Sequence, residues 1–188
     1  MKKLTFLLIA FSILIISCKK EKKEIKTVET ETTKTTITPE KIKIALTAKS
    51  DSKVTGNVVF KESDGEVSMT AIISGLTAGQ HAIHIHESSD CTSADGKSAG
   101  GHWNPTSEPH GKWGDNAGYH KGDIGNFTAD ENGNGTISLS TDEWCIGCGD
   151  TSKDILGKGI IVHAGTDDFT SQPSGAAGAR ISCAGIIQ

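Results

Sequence analysis

Two histidines separated by one residue set the strongest constraint on this chain. In His81-Ala82-Ile83-His84-Ile85-His86 isoleucines and imidazoles alternate. Successive side chains of a strand point to opposite faces. An extended segment here therefore puts His84 and His86 side by side on one face, with Ile83 and Ile85 behind them. Neutral imidazole offers a lone pair near neutral pH and is the commonest metal ligand. Six of the seven histidines lie within residues 81–123. His102, His110 and His120 follow in a glycine-rich stretch, Asp123 comes three residues after the last, and His163 closes the apolar run from Gly159. The arrangement points to metal binding.

Short alternating runs separated by turn residues dominate the chain from residue 40 onward. Ile42 to Ala48 and Val54 to Phe60 alternate, Ser63-Asp64-Gly65 marks a turn, and Val67 to Ile72 follows. Residues 53–73 therefore read as a hairpin. Further strands are expected at His84, near 123–129, near 135–141, at 158–163 and from Ala179 to Ile187, with a tight turn at Asn132-Gly133-Asn134-Gly135. Eight short strands with Gly and Asn turns predict an all-β sandwich or barrel. Two connections are long, roughly 87–121 and 164–178. Such lengths are usually functional, and both adjoin the histidines.

The N-terminal region reads differently. Met1-Lys2-Lys3 precedes 13 apolar or small residues, Leu4 to Ile16, which is short for a bilayer-spanning helix and fits a secretory signal. Leu14-Ile15-Ile16-Ser17-Cys18 resembles the lipobox of bacterial lipoproteins, which implies a signal peptide at 1–17 and lipid on Cys18. Several acyl chains anchor a protein stably. Residues 19–39 hold six Lys and four Glu among threonines, with too few apolar groups to offset ordering entropy. They read as a flexible tether, so 18–39 joins the lipid to a domain at 40–188. That domain carries 11 basic and 19 acidic residues, a net charge of −8. No basic cluster marks a nucleic-acid binder. Removing Cys18 leaves four cysteines, an even number that favours disulfides in an exported chain.

Five motifs in order carry a resemblance: His84-x-His86, then Gly100-Gly101-His102-Trp103-Asn104-Pro105, then His120-Lys121-Gly122-Asp123, then His163-Ala164-Gly165, then Gly178-Ala179-Arg180-Ile181-Ser182-Cys183. The chain resembles a copper/zinc superoxide dismutase of the bacterial exported lipoprotein kind over nearly all of 40–188. The resemblance implies an eight-stranded antiparallel Greek-key β-barrel. It implies one copper on His84, His86, His102 and His163. It implies one zinc on His102, His110, His120 and Asp123, with His102 bridging the metals. Four imidazoles suit copper(II), and three imidazoles with a carboxylate suit closed, structural zinc. Asp167 matches a carboxylate that links a copper-side and a zinc-side histidine from outside, and Arg180 matches an arginine beside the open copper position. His102 would carry a proton to the departing peroxide. His81 falls off the ligand face and is expected to support by hydrogen bonding.

Cys91 and Cys183 match the family's disulfide. Cys145-Ile146-Gly147-Cys148 departs from the best-known pattern; a local disulfide, a redox pair or half a metal site are the alternatives. Trp103, Trp113 and Trp144 are expected to pack. The loop at 164–178 has Asp167 and Asp168 but no lysine, so Lys97, Lys112 and Lys121 are the candidates to guide an anion with Arg180. The implied activity is superoxide disproportionation outside the cytoplasm. The protein would be lipid-anchored to a bacterial envelope membrane, with outer-membrane sorting favoured, facing periplasm or surface. A non-catalytic copper/zinc-buffering lipoprotein on the same fold is the alternative. Monomer and homodimer both remain open.

Overall fold

The computed structural model describes residues 40–188. The expected signal peptide, Cys18 and tether lie outside the described residues. Eight strands form in chain order: β1 (Glu40–Ala48), β2 (Thr55–Ser63), β3 (Glu66–Ser74), β4 (Gly79–His86), β5 (Gly125–Ala129), β6 (Gly135–Thr141), β7 (Gly159–His163) and β8 (Arg180–Gly185). They close into a barrel in the order β1-β2-β3-β6-β5-β4-β7-β8, with every pair antiparallel. The steps β3–β6 and β4–β7 are the crossovers expected of a Greek key. Among the described residues there is no α-helix, only a 3-10 turn at Lys97–Ala99.

Alternation builds the barrel as the sequence predicts. β1 buries Ile42, Ile44 and Leu46 and exposes the residues between them. Phe60, Met69, Ile73, Ile83, Ile85 and Ile160 join the same interior at 0% exposure. Burial of each such side chain stabilises by about 1.5–3 kcal/mol. β4 and β7 depart from the simple pattern, because His81 to His86 and Gly159 to His163 are buried throughout. Their inward residues fill the barrel, and their outward residues are covered by loops.

Those loops run 87–124 and 164–179, close to the predicted bounds. A third long connection, 142–158, carries Cys145 and Cys148 and fills the gap between the strands expected near 135–141 and at 158–163. The first loop lies flat on the outer face of the barrel. Ala99, Ile161 and Cys183 pack together there beneath Cys91. A Cys91–Cys183 disulfide ties the loop to β8 across a sequence separation of 92. The chain-entropy account gives a constraint of that length roughly 4–5 kcal/mol.

Close backbone approach seats the loop. Trp103 N–H donates to the Ile85 carbonyl (2.9 Å), Gly122 N–H donates to Trp103 (3.0 Å) and Ile85 N–H donates to Gly122 (2.9 Å). A Cβ on Gly122 would sit 2.2 Å from the Ile85 oxygen, so only glycine fits. Gly122→Ala is expected to lower stability by about 1–3 kcal/mol, the usual cost of overpacking. Urea unfolding of the metal-free protein measures it.

Candidate metal centre

β4 supplies the first two ligands for a reason visible in its neighbours. Ile83 and Ile85 point into the barrel, so His84 and His86 must point out. On β7, Ile160 and Val162 point inward and His163 ends the strand. The β7–β8 register shifts between Val162 and His163, where His163 pairs with Arg180. Bulges of this kind re-aim side chains next to functional sites. The first loop brings His102 beside His86 as an isolated antiparallel bridge, and carries His110, His120 and Asp123.

Two buried groups result, sharing one member. His84, His86, His102 and His163 form the first, and His102, His110, His120 and Asp123 form the second. Within each group one donor atom per residue lies within 4.8 Å of the others. The rings of His84 and His102 are 4.0 Å apart, and those of His84 and His163 are 4.9 Å apart. All seven side chains are buried.

The hydrogen bonds settle which ring nitrogens are free. His84 Nε2–H donates to Asp167 Oδ2 (2.8 Å), His86 Nδ1–H to the Gly100 carbonyl (3.0 Å) and His163 Nδ1–H to the Gly178 carbonyl (3.3 Å). His110 Nε2–H donates to Asp167 Oδ1 (2.9 Å). The opposite nitrogens, His84 Nδ1, His86 Nε2, His163 Nε2 and His110 Nδ1, have no hydrogen-bond partner, and neither do His102 Nε2 and His120 Nδ1. His110 Nδ1 and His120 Nδ1 lie 3.0 and 3.3 Å from Asp123, without hydrogen-bond geometry. Buried polar atoms are otherwise almost always paired. Six orphaned nitrogens converging on two points fit two metal ions, with the far nitrogens oriented from outside.

Electrostatics agrees. Burial pushes His86 and His163 well below the usual histidine range, and neighbouring histidines and Arg180 push further. Burial takes His102 down to about 4. These three rings are neutral near pH 7, the ligating form. Burial works against charge on Asp123, but the hydrogen bond from the His102 ring, the nearby His110 and His120 rings and the His120 backbone N–H outweigh it and hold the carboxyl below its ordinary range. Gly111 and His120 also donate their N–H groups to Asp123 Oδ2, at 3.1 and 2.8 Å. For His110 burial lowers the pKa, but Asp123 and Asp167 outweigh it and raise it to about 9.

The remaining predicted residues fall as follows. Asp167 spans His84 and His110 and so touches both groups. His81 Nδ1–H donates to the His163 carbonyl (3.0 Å), a supporting role. Arg180 stands half-buried with Nη1 donating to Gly96 (2.9 Å). Trp103 and Trp144 are buried, and Trp113 packs against the core. Of the three lysines expected to guide an anion, Lys121 pairs with Glu143 and Lys97 with Asp95, and Lys112 makes no ion pair among the described residues. Arg180 itself faces the charges of Asp95 and Glu87.

Gln172 was missed by sequence reasoning. Its Oε1 accepts His110 N–H and its Nε2 donates to the His110 carbonyl, both at 2.9 Å. The side-chain amide thus pairs with His110 as a strand would, joining the two long loops. No motif marks this glutamine, and its partner is 62 residues away.

A β-barrel carrying an all-imidazole group and a three-histidine, one-carboxylate group that share a ring defines a two-metal protein of the copper and zinc class. Comparison with known proteins agrees. The family model for copper/zinc superoxide dismutase matches residues 54–186, and the chain belongs to that family. It is 35% identical over 148 residues to the extracellular superoxide dismutase [Cu-Zn] of Caenorhabditis elegans. That match covers 76% of this chain and 65% of the nematode protein. Among solved structures, the clock protein EA4 is similar with 31% identity and a TM-score of 0.68, covering 80% of this chain and 96% of that one. A double mutant of a SOD-like protein from Bacillus subtilis, with a tyrosine and a proline changed to histidine, gives 30% identity and a TM-score of 0.69, covering 78% and 97%. The family binds copper and zinc, and the two groups here fit them.

Two outcomes follow from this geometry. Below about pH 9 the metal-free His110 holds a proton that zinc must displace. Zinc affinity therefore falls as pH drops below that value, and calorimetry in buffers of differing ionisation enthalpy will count the released proton. Gln172→Ala is expected to cost about tenfold in zinc affinity, the lower end for residues that orient a ligand. Competition with a chromophoric chelator reads it.

Proposed function

We propose that the protein is a superoxide dismutase acting outside the cytoplasm. The carrying observation is the convergence of orphaned imidazole nitrogens beside a half-buried arginine. In this reading His84, His86, His102 and His163 hold copper. His102, His110, His120 and Asp123 hold zinc. Bound copper supplies the one-electron exchange that takes two superoxide anions and two protons to dioxygen and hydrogen peroxide.

The chain's own residues do the rest. Arg180 offers fixed guanidinium donors to a small anion and is oriented by its bond to Gly96. His102 Nε2 lies on the copper side without a protein partner and is the atom to carry a proton toward the product. His102 Nδ1 faces the zinc-side carboxylate at 2.8 Å, which keeps the ring in place as Nε2 gains and loses that proton. With Lys97 and Lys121 paired, attraction of the anion rests mainly on Arg180 and Lys112, in a domain of net charge −8.

Two disulfides, Cys91–Cys183 and Cys145–Cys148, support an oxidising compartment, as does the extracellular nematode relative. Lipid attachment at Cys18 and a 19–39 tether belong to the same reading.

A superoxide-consumption assay on protein loaded with both metals tests the activity. A charge-assisted hydrogen bond is worth about 1.5–3 kcal/mol. Arg180→Ala is therefore expected to lower the rate roughly ten- to hundredfold with both metals retained. His163→Ala is expected to lose copper and activity and keep zinc. An inactive wild type with both metals bound would favour metal buffering instead.

A further inference from the structure

We propose that the β6–β7 connection holds a third metal site, gated by redox state, in which Cys145, Cys148 and Asp154 bind a zinc-class divalent cation. Donor atoms of the three residues lie within 4.8 Å of one another, and none belongs to the histidine groups. The two sulfurs are joined as a disulfide in this structure, so the site exists only after reduction. Cys148 is exposed and Cys145 buried, which makes Cys148 the sulfur a reductant reaches first. A dithiol attacks the Cys148 sulfur and Cys145 departs as thiolate. The second thiol of the reductant then displaces the first, and the reductant ends as its own disulfide. Two electrons and two protons pass to the loop. Metal binding releases the protons from both thiols.

The donors stay together without the sulfur–sulfur bond. Cys145 N–H donates to the Lys153 carbonyl (2.9 Å) and Ile155 N–H to the Cys145 carbonyl (3.1 Å). Asp154 Oδ1 accepts the Gly147 and Leu156 N–H groups, both at 3.0 Å, and Oδ2 accepts that of Gly149 at 2.9 Å. Buried Trp144 anchors the start of the loop, its indole N–H donating to the Lys121 carbonyl (2.8 Å). Reduction therefore opens two sulfurs within a standing frame.

The chemistry of the donors chooses the ion. Two thiolates with one carboxylate suit zinc, which takes sulfur and oxygen in tetrahedral array. Asp154 Oδ2 receives a single N–H and keeps one lone pair for a metal. The Asp150 N–H lies 3.5 Å from Cys148 Sγ and favours its thiolate. Gly147 to Asp150 are exposed, leaving the fourth position to water.

The test uses the full protein with copper and zinc already loaded, treated with a dithiol and then titrated with cadmium(II), which reports thiolate coordination by charge-transfer absorption. Cys183 is fully buried and Cys91 partly so, so alkylation mapping should find two freed thiols, at Cys145 and Cys148. One cadmium per chain is expected, with a charge-transfer band absent from the oxidised protein and from Cys148→Ser. Asp154→Asn is expected to weaken it roughly tenfold. Freed thiols without the band, a band that survives Cys148→Ser, or a loop disulfide that the dithiol does not open would each overturn the proposal.

Discussion

Six imidazole nitrogens buried without partners are the constraint around which the outer half of this molecule is organised. An unsatisfied buried polar atom costs about 1–3 kcal/mol, and such atoms are rare in folded proteins. Here they are gathered on two points. The protein tolerates them because the barrel beneath is independent of them. Phe60, Met69, Ile73, Ile83 and Ile85 are fully buried in its interior, and no histidine or aspartate of the two groups belongs to that core. Metal ions held there would turn the orphaned atoms from a liability into bonds that close the loops over the barrel.

Those loops are held by scattered backbone bonds rather than long ladders, and side-chain amides add to them. Asn126 Nδ2 donates to the Asp167 carbonyl and its Oδ1 accepts Asp167 N–H, both at 2.8 Å. Asn104 makes the same two-way pairing with Glu108, at 2.8 and 3.1 Å, and Gln172 makes it with His110. Each carboxamide turns one N–H and its carbonyl oxygen to the backbone in the spacing of a peptide group. Asn104 stiffens the first loop internally. Asn126 fixes the second loop to the barrel, and Gln172 fixes it to the first loop.

The parts legible in the sequence are those with a local period. The alternation in β4 predicted that His84 and His86 share a face, and the barrel places them so. The turn residues predicted the strands to within a few positions. Features built from distant partners were not legible. Gln172 pairs across 62 residues, and Lys121 meets Glu143 across 22, so its position beside the histidines in sequence said nothing of its direction. The 142–158 connection lay between the expected strands, but the burial of Ile155 and Ile146, at 0% and 4%, was not legible because no period marks them. They pack the loop against the core.

Asp167 shows why the two groups act as one unit. One carboxylate oxygen holds a ring of the first group and the other holds a ring of the second, although the two histidines come from a strand and a loop. Burial alone would raise its pKa, but hydrogen bonds from His110 and His84 keep it ionised, so it accepts from both at any pH at which the fold persists near neutrality. Moving that carboxylate to suit one ring would misalign the other. Its own backbone is gripped by Asn126, and the first of its two rings to be oriented fixes the carboxylate for the second. The orientation of each metal group is thereby transmitted through a residue that belongs to neither.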